Sequence, residues 1–128
     1  MEQRLHTVIT TPEFLAMAKD AKVTDAELAE IVSLLAADPK AGDIVPGTGG
    51  ARKVRMAGKG RGKRGSYRTY HYFGGDDVPV FLLAVLAKNQ KADLSAKHKD
   101  ALAKILPLLG DSYRASVARR VTKMRRKT

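Results

Sequence analysis

Ten residues, Val78–Ala87, form an almost continuous apolar run. Gly74-Gly75-Asp76-Asp77 precedes it as a hairpin turn, and Lys88-Asn89 follows. A run of that length, apolar on both faces, reads as a buried central strand and is too short to span a bilayer. A central strand needs neighbours, and the preceding sequence supplies them. Ala51–Met56 alternates in the strand manner, with Lys53 and Arg55 on one face and Val54 and Met56 on the other. Ser66–Phe73 is β-rich; its period of two puts Arg68, Tyr70 and Tyr72 on one face and Tyr67, Thr69 and His71 on the other.

Helical signals lie outside this block. Leu5–Thr10 reads as a first strand, followed by Thr11 as N-cap and Pro12 at the first helical position. That helix is expected to turn Phe14, Leu15 and Ala18 inward. Thr24 and Glu27 have the capping-box spacing, ahead of a stripe of Leu28, Ile31, Val32 and Leu35 that Asp38-Pro39 stops. Ala41–Gly50 reads as a loop. A third helix is expected from Ser95 as N-cap to Leu106, ended by Pro107. Residues 107–128 then form a basic extension, helical or disordered, beyond a domain of residues 1–106. Helices segregated from a mainly antiparallel sheet make the fold class α+β.

Charge carries the functional signal. Lys and Arg number 24 against 13 Asp and Glu, a net charge of +11. From Ile44 to Gly75 there is no acid but eight cations: Arg52, Lys53, Arg55, Lys59, Arg61, Lys63, Arg64 and Arg68. Clustered like charges repel, and a polyanion that binds them releases its counterions. The pattern points to a nucleic-acid backbone. Lys53, Arg55 and Arg68 are expected to converge on one sheet face with Lys88 at its mouth, while the glycine-rich loop 57–65 supplies a cationic flap. Gly60–Gly65 matches G-x-G-x-x-G, but a strand follows it instead of a helix, so it is not a dinucleotide fingerprint. The chain has no cysteine, which excludes disulfides and thiolate metal sites. An N-terminal stretch without an apolar signal core favours a cytoplasmic protein.

The segment Gly42-Asp43-Ile44-Val45-Pro46-Gly47-Thr48-Gly49-Gly50-Ala51-Arg52-Lys53-Val54-Arg55 resembles the GD-x-I-x-GTGG-x-RK-x-R signature of HigB-type toxins in the RelE/ParE superfamily. Gly60–Gly65 with Tyr67-Arg68 is similar to that group's GKRGG-x-R stretch, and Leu86–Lys91 with Asp93-Leu94-Ser95 to its YAKNE…DLT segment. The resemblance covers residues 5–106. It implies a RelE-like toxin of a type II toxin–antitoxin pair, with two N-terminal helices on one face of the sheet and a C-terminal helix. It also implies ribosome-dependent cleavage of mRNA in the A site without metal or cofactor. The partners it implies are mRNA, ribosomal RNA and a helix-turn-helix antitoxin.

Matched onto this sequence, Lys53, Arg55, Arg68 and Lys88 are the catalytic set, with Asn89 a rival to Lys88. Arg52, Lys59, Arg61, Lys63 and Arg64 would bind RNA. No tyrosine follows Lys88 at the family's stacking position, so Tyr70 or Tyr72 is expected to stack on a base. An acid-free segment lacks the oxygen ligands Mg²⁺ prefers. The chemistry expected there is attack of the RNA 2′-hydroxyl on its own phosphate, with Arg55 and Arg68 on the phosphorane, Lys53 as base and Lys88 as acid or phosphate ligand. His71 is expected in the core. Two other readings use the same features: a ParE-like gyrase inhibitor without nuclease activity, and a non-catalytic RNA-binding module.

Overall fold

The structure, a computed structural model, describes residues 5–57, 66–87 and 93–126. Along the chain come β1 (Val8–Thr10), α1 (Pro12–Asp20), α2 (Asp25–Ala37), β2 (Asp43–Ile44), β3 (Arg52–Ala57), β4 (Ser66–Tyr72), β5 (Val80–Ala87) and α3 (Ala96–Arg126). The five strands form one sheet in the order β1-β5-β4-β3-β2. β1 runs parallel to β5 and every other pair is antiparallel. The fold is α+β, as expected, and the apolar run is the interior strand β5, buried along its whole length.

The sheet separates two cores. Phe14, Ile31 and Leu35 of α1 and α2 pack with Tyr67, Val80 and Val85 on one face. On the other, Leu94, Leu102 and Leu106 pack with Tyr70, Phe81 and Leu83. The N-terminal helices begin where the sequence signals place them. Thr11 Oγ1 accepts from the Phe14 amide at 3.2 Å, and Thr24 and Glu27 close a reciprocal capping box. Leu15 does not turn inward: it is 46% exposed, because the buried stripe of α1 runs through Phe14, Met17 and Ala18 and leaves Leu15 a step around the helix.

The loop 41–50 is more ordered than its composition suggests. Gly42 and Asp43 bring a two-residue strand against β3, pairing Asp43 with Lys53 and Ile44 with Arg52. At Gly42 the backbone is left-handed (φ +80°), and a Cβ there would stand 2.1 Å from the Lys53 carbonyl oxygen. Thr48 is fully buried and holds the GTGG turn. Its hydroxyl donates to the Val45 carbonyl at 2.7 Å and accepts from the Ala51 amide at 3.0 Å. Half of the signature is therefore the scaffold that launches β3.

The third helix corrects an expectation. Ser95 does cap it, accepting from the His98 amide at 3.1 Å, but Pro107 does not end it. Proline's φ suits a helix; what it removes is one amide bond to the residue four before, here Ala103. Packing on both sides outweighs that loss, with Leu102, Leu106 and Gly110 all buried. Gly49 lies against the same place: a Cβ on it would be 3.2 Å from Ala103 Cα and 3.4 Å from Pro107 Cδ. Residues 107–126 are thus continuous with the helix before them. No helix of the described residues is long and apolar enough to cross a membrane.

Candidate active site on the basic sheet face

Strand register decides which cations meet. Across β3 and β4, Arg55 faces Arg68, Lys53 faces Tyr70 and Val54 faces Thr69. Arg55, Arg68 and Lys53 therefore share one face, as expected. Val54 and Met56 pack on the opposite face with α1 and α2. Directly opposed residues have roots roughly 5 Å apart, and like charges in that relation destabilise a sheet. Among the described residues no acid forms a salt bridge with Lys53, Arg55 or Arg68. Arg55 is exposed, and Lys53 and Arg68 are half-buried. A fold that places two guanidinium groups across from each other without an acid between them presents a site for an anion.

One acid does stand at the border of this face. Asp93, just before α3, accepts from the Tyr70 hydroxyl at 2.7 Å, the Leu94 amide at 2.8 Å and Lys99 Nζ at 3.1 Å. Burial opposes its ionisation, but these hydrogen bonds and the charge of Lys53 overcome it and draw its pKa down to about 2. Burial, with the Asp93 hydrogen bond, pushes the Tyr70 phenol well above its usual range. The Tyr70 ring is fully buried. It is a strut between β4 and α3 and offers no face to a base, which corrects the stacking expected of it. Tyr72 is half-buried between two glycines: a Cβ on Gly50 or Gly74 would stand 3.3 Å or 3.1 Å from its ring.

Other expected residues divide. Arg52 lies on the far face, where its Nη1 donates to the carbonyls of Lys40 at 3.2 Å and Gly42 at 3.3 Å. The structure gives it a loop-bracing role and does not bring it to the basic triad. His71 is in the core, as expected. Its Nε2 donates to the Pro39 carbonyl at 2.8 Å, and burial, with Arg52 adding like charge, lowers its pKa below 6.5. Lys59, Arg61, Lys63, Arg64, Lys88 and Asn89 lie outside the described residues. The chain enters and leaves those segments at Ala57, Ser66 and Ala87, which the register brings to one end of the sheet through the Ala57–Ser66 and Tyr67–Ala87 pairs.

Asp93 is the residue that sequence reasoning did not place at the site. Its signal was present: an acid two residues before the N-cap Ser95, following the basic stretch Lys88–Lys91. The arrangement as a whole can bind a phosphate between Arg55 and Arg68 and set Lys53 beside it, with the Tyr70–Asp93 pair fixing the floor. Residues 6–125 match the family described as the RelE toxin of the RelE/RelB toxin–antitoxin system, and the chain belongs to that family.

Proposed function

We propose that this toxin is a HigB-type, ribosome-dependent endoribonuclease that cleaves mRNA by attack of the RNA 2′-hydroxyl on the adjacent phosphate. The observation that carries this reading is the opposed Arg55–Arg68 pair with Lys53 on the same face, three cations without an acid salt bridge among the described residues. Arg55 and Arg68 hold the non-bridging oxygens as charge builds on the phosphorane. Lys53 and Lys88 handle the protons, one from the attacking hydroxyl and one to the leaving 5′ oxygen. The bond that forms is 2′-oxygen to phosphorus, and the bond that breaks is phosphorus to 5′-oxygen, leaving a 2′,3′-cyclic phosphate. No step uses a metal. Lys59, Arg61, Lys63 and Arg64 add backbone contacts to the mRNA or ribosomal RNA. The partner that silences the toxin is an antitoxin with a helix-turn-helix domain, and both act in the cytoplasm.

Induction of the wild-type toxin tests the class. New mRNA 5′ ends phased to codons are expected, abolished by Lys53→Ala and by Arg68→Ala with growth restored. Growth arrest with inhibited supercoiling and intact mRNA would instead make the chain a gyrase inhibitor.

A further inference from the structure

Helix α3 buries one face against the sheet through Leu102, Leu106 and Gly110, with Tyr113 half-buried in line. At helical spacing that face continues through Val117, Val121 and Met124. These three are 39%, 40% and 68% exposed, because the sheet has ended beneath them. Arg114 is where the helix leaves the sheet: it forks onto Asp77, with Nη2 at 2.8 Å from Oδ1, and reaches the Gly74 carbonyl at 3.3 Å. Past Arg114 no described residue is buried. The basic side of this overhang, along Ala118, Arg119, Thr122, Lys123 and Arg126, is an open surface. A cavity of about 360 Å³ opens at its root between Asp77, Tyr113, Arg114, Val117 and Ala118.

Past Arg114, itself paired with Asp77, six cations and no acid run to Thr128. Like charges at Arg119–Lys123 and Lys123–Arg126 weaken a helix whose described residues past Arg114 are all unburied. We propose that the Val117–Val121–Met124 face is the docking surface for an acidic, amphipathic segment of a partner protein, with one of its apolar side chains seated in the cavity at Tyr113 and Val117. A nucleic acid would need only the cations and would leave the apolar stripe in water. A second copy would set six positive charges against six. An acidic amphipathic helix satisfies both the stripe and the flanking charge, as in helix-in-groove recognition. The inference rests on the reading that an antitoxin accompanies this toxin, and it assigns that antitoxin as the partner.

The test is the affinity of the full-length toxin for its co-expressed antitoxin, measured across a salt series. Val117→Ser/Val121→Ser/Met124→Ser is expected to weaken the complex by roughly ten- to a hundredfold, since few contacts dominate such interfaces. Arg120→Glu/Lys123→Glu is expected to weaken it and flatten its salt dependence. These positions are exposed, and unchanged helical circular dichroism and melting temperature check that each variant is folded. Affinities within twofold of wild type for both variants overturn the inference and leave the toxin reading standing. Failure of the wild-type toxin to bind any antitoxin overturns both. Loss of ribosome binding in the stripe variant, with antitoxin affinity intact, also overturns it and makes the overhang an RNA-docking arm.

Discussion

Replacing Asp93 by Asn removes one charge and little else. An amide oxygen can still accept from the Tyr70 hydroxyl and the Leu94 amide, so the lost quantity is the carboxylate's attraction to Lys99 and Lys53. A carboxyl that titrates at about 2 instead of 3.8 corresponds to about 2.4 kcal/mol at neutral pH. The side chain is 35% exposed, and solvent screening reduces that to ~1 kcal/mol. The sign is set by the depressed pKa: the stabilisation is complete above pH 3.8 and is lost as pH falls toward 2. Urea unfolding of wild type and Asp93→Asn at pH 7, 5 and 3 measures it. The gap is expected to be ~1 kcal/mol at pH 7 and pH 5 and about half that at pH 3. A gap that stays constant down to pH 3, or no gap at neutral pH, would refute the assignment of Asp93 as the anion that ties α3 to the basic face.

Three further outcomes follow from the scaffold. Thr48→Val strands the buried Ala51 amide and should cost about 2–3 kcal/mol, read as a fall in melting temperature of roughly 5–12 °C. Gly42→Ala drives a Cβ into the Lys53 carbonyl and should cost ~2 kcal/mol or more by the same measurement, with loss of amide protection in β2 and at the edge of β3. His71 is neutral in the core with its pKa lowered below 6.5, so wild-type stability should decline as pH falls from 7 to 5, while the unfolded chain takes up the proton; His71→Gln should remove that decline in denaturant titrations.

Much of the fold was legible because its signals are local. Thr11-Pro12 and Thr24…Glu27 mark helix starts by satisfying amides within one turn, and no distant residue alters that. Strand parity likewise put Lys53 with Arg55 within β3 and Arg68 with Tyr70 and Tyr72 within β4, and the pairing of the two strands joined these sets on one face. Features set by distant contacts were not legible. Pro107 carries a local stop signal, yet buried residues before and after it keep the helix running. Tyr70 shares the basic face by parity, but α3 lies over it and Asp93 takes its hydroxyl, so that parity alone misread a strut as a stacking platform. Arg52 is a different case: parity already set it opposite Lys53, and only its charge and its place in the acid-free segment grouped it with the RNA-binding residues. Composition located the basic region; register selected the residues within it.

The central claim is that Arg55 and Arg68 stabilise a cleaving phosphate. Single-turnover cleavage of ribosome-bound mRNA by purified, folded Arg68→Ala tests it most directly. Loss of one such donor removes ~3 kcal/mol from the transition state, so the rate should fall by about 10²-fold, with the melting temperature of the variant unchanged or raised by relief of the Arg55–Arg68 repulsion. A folded Arg68→Ala that cleaves at the wild-type rate would contradict the account.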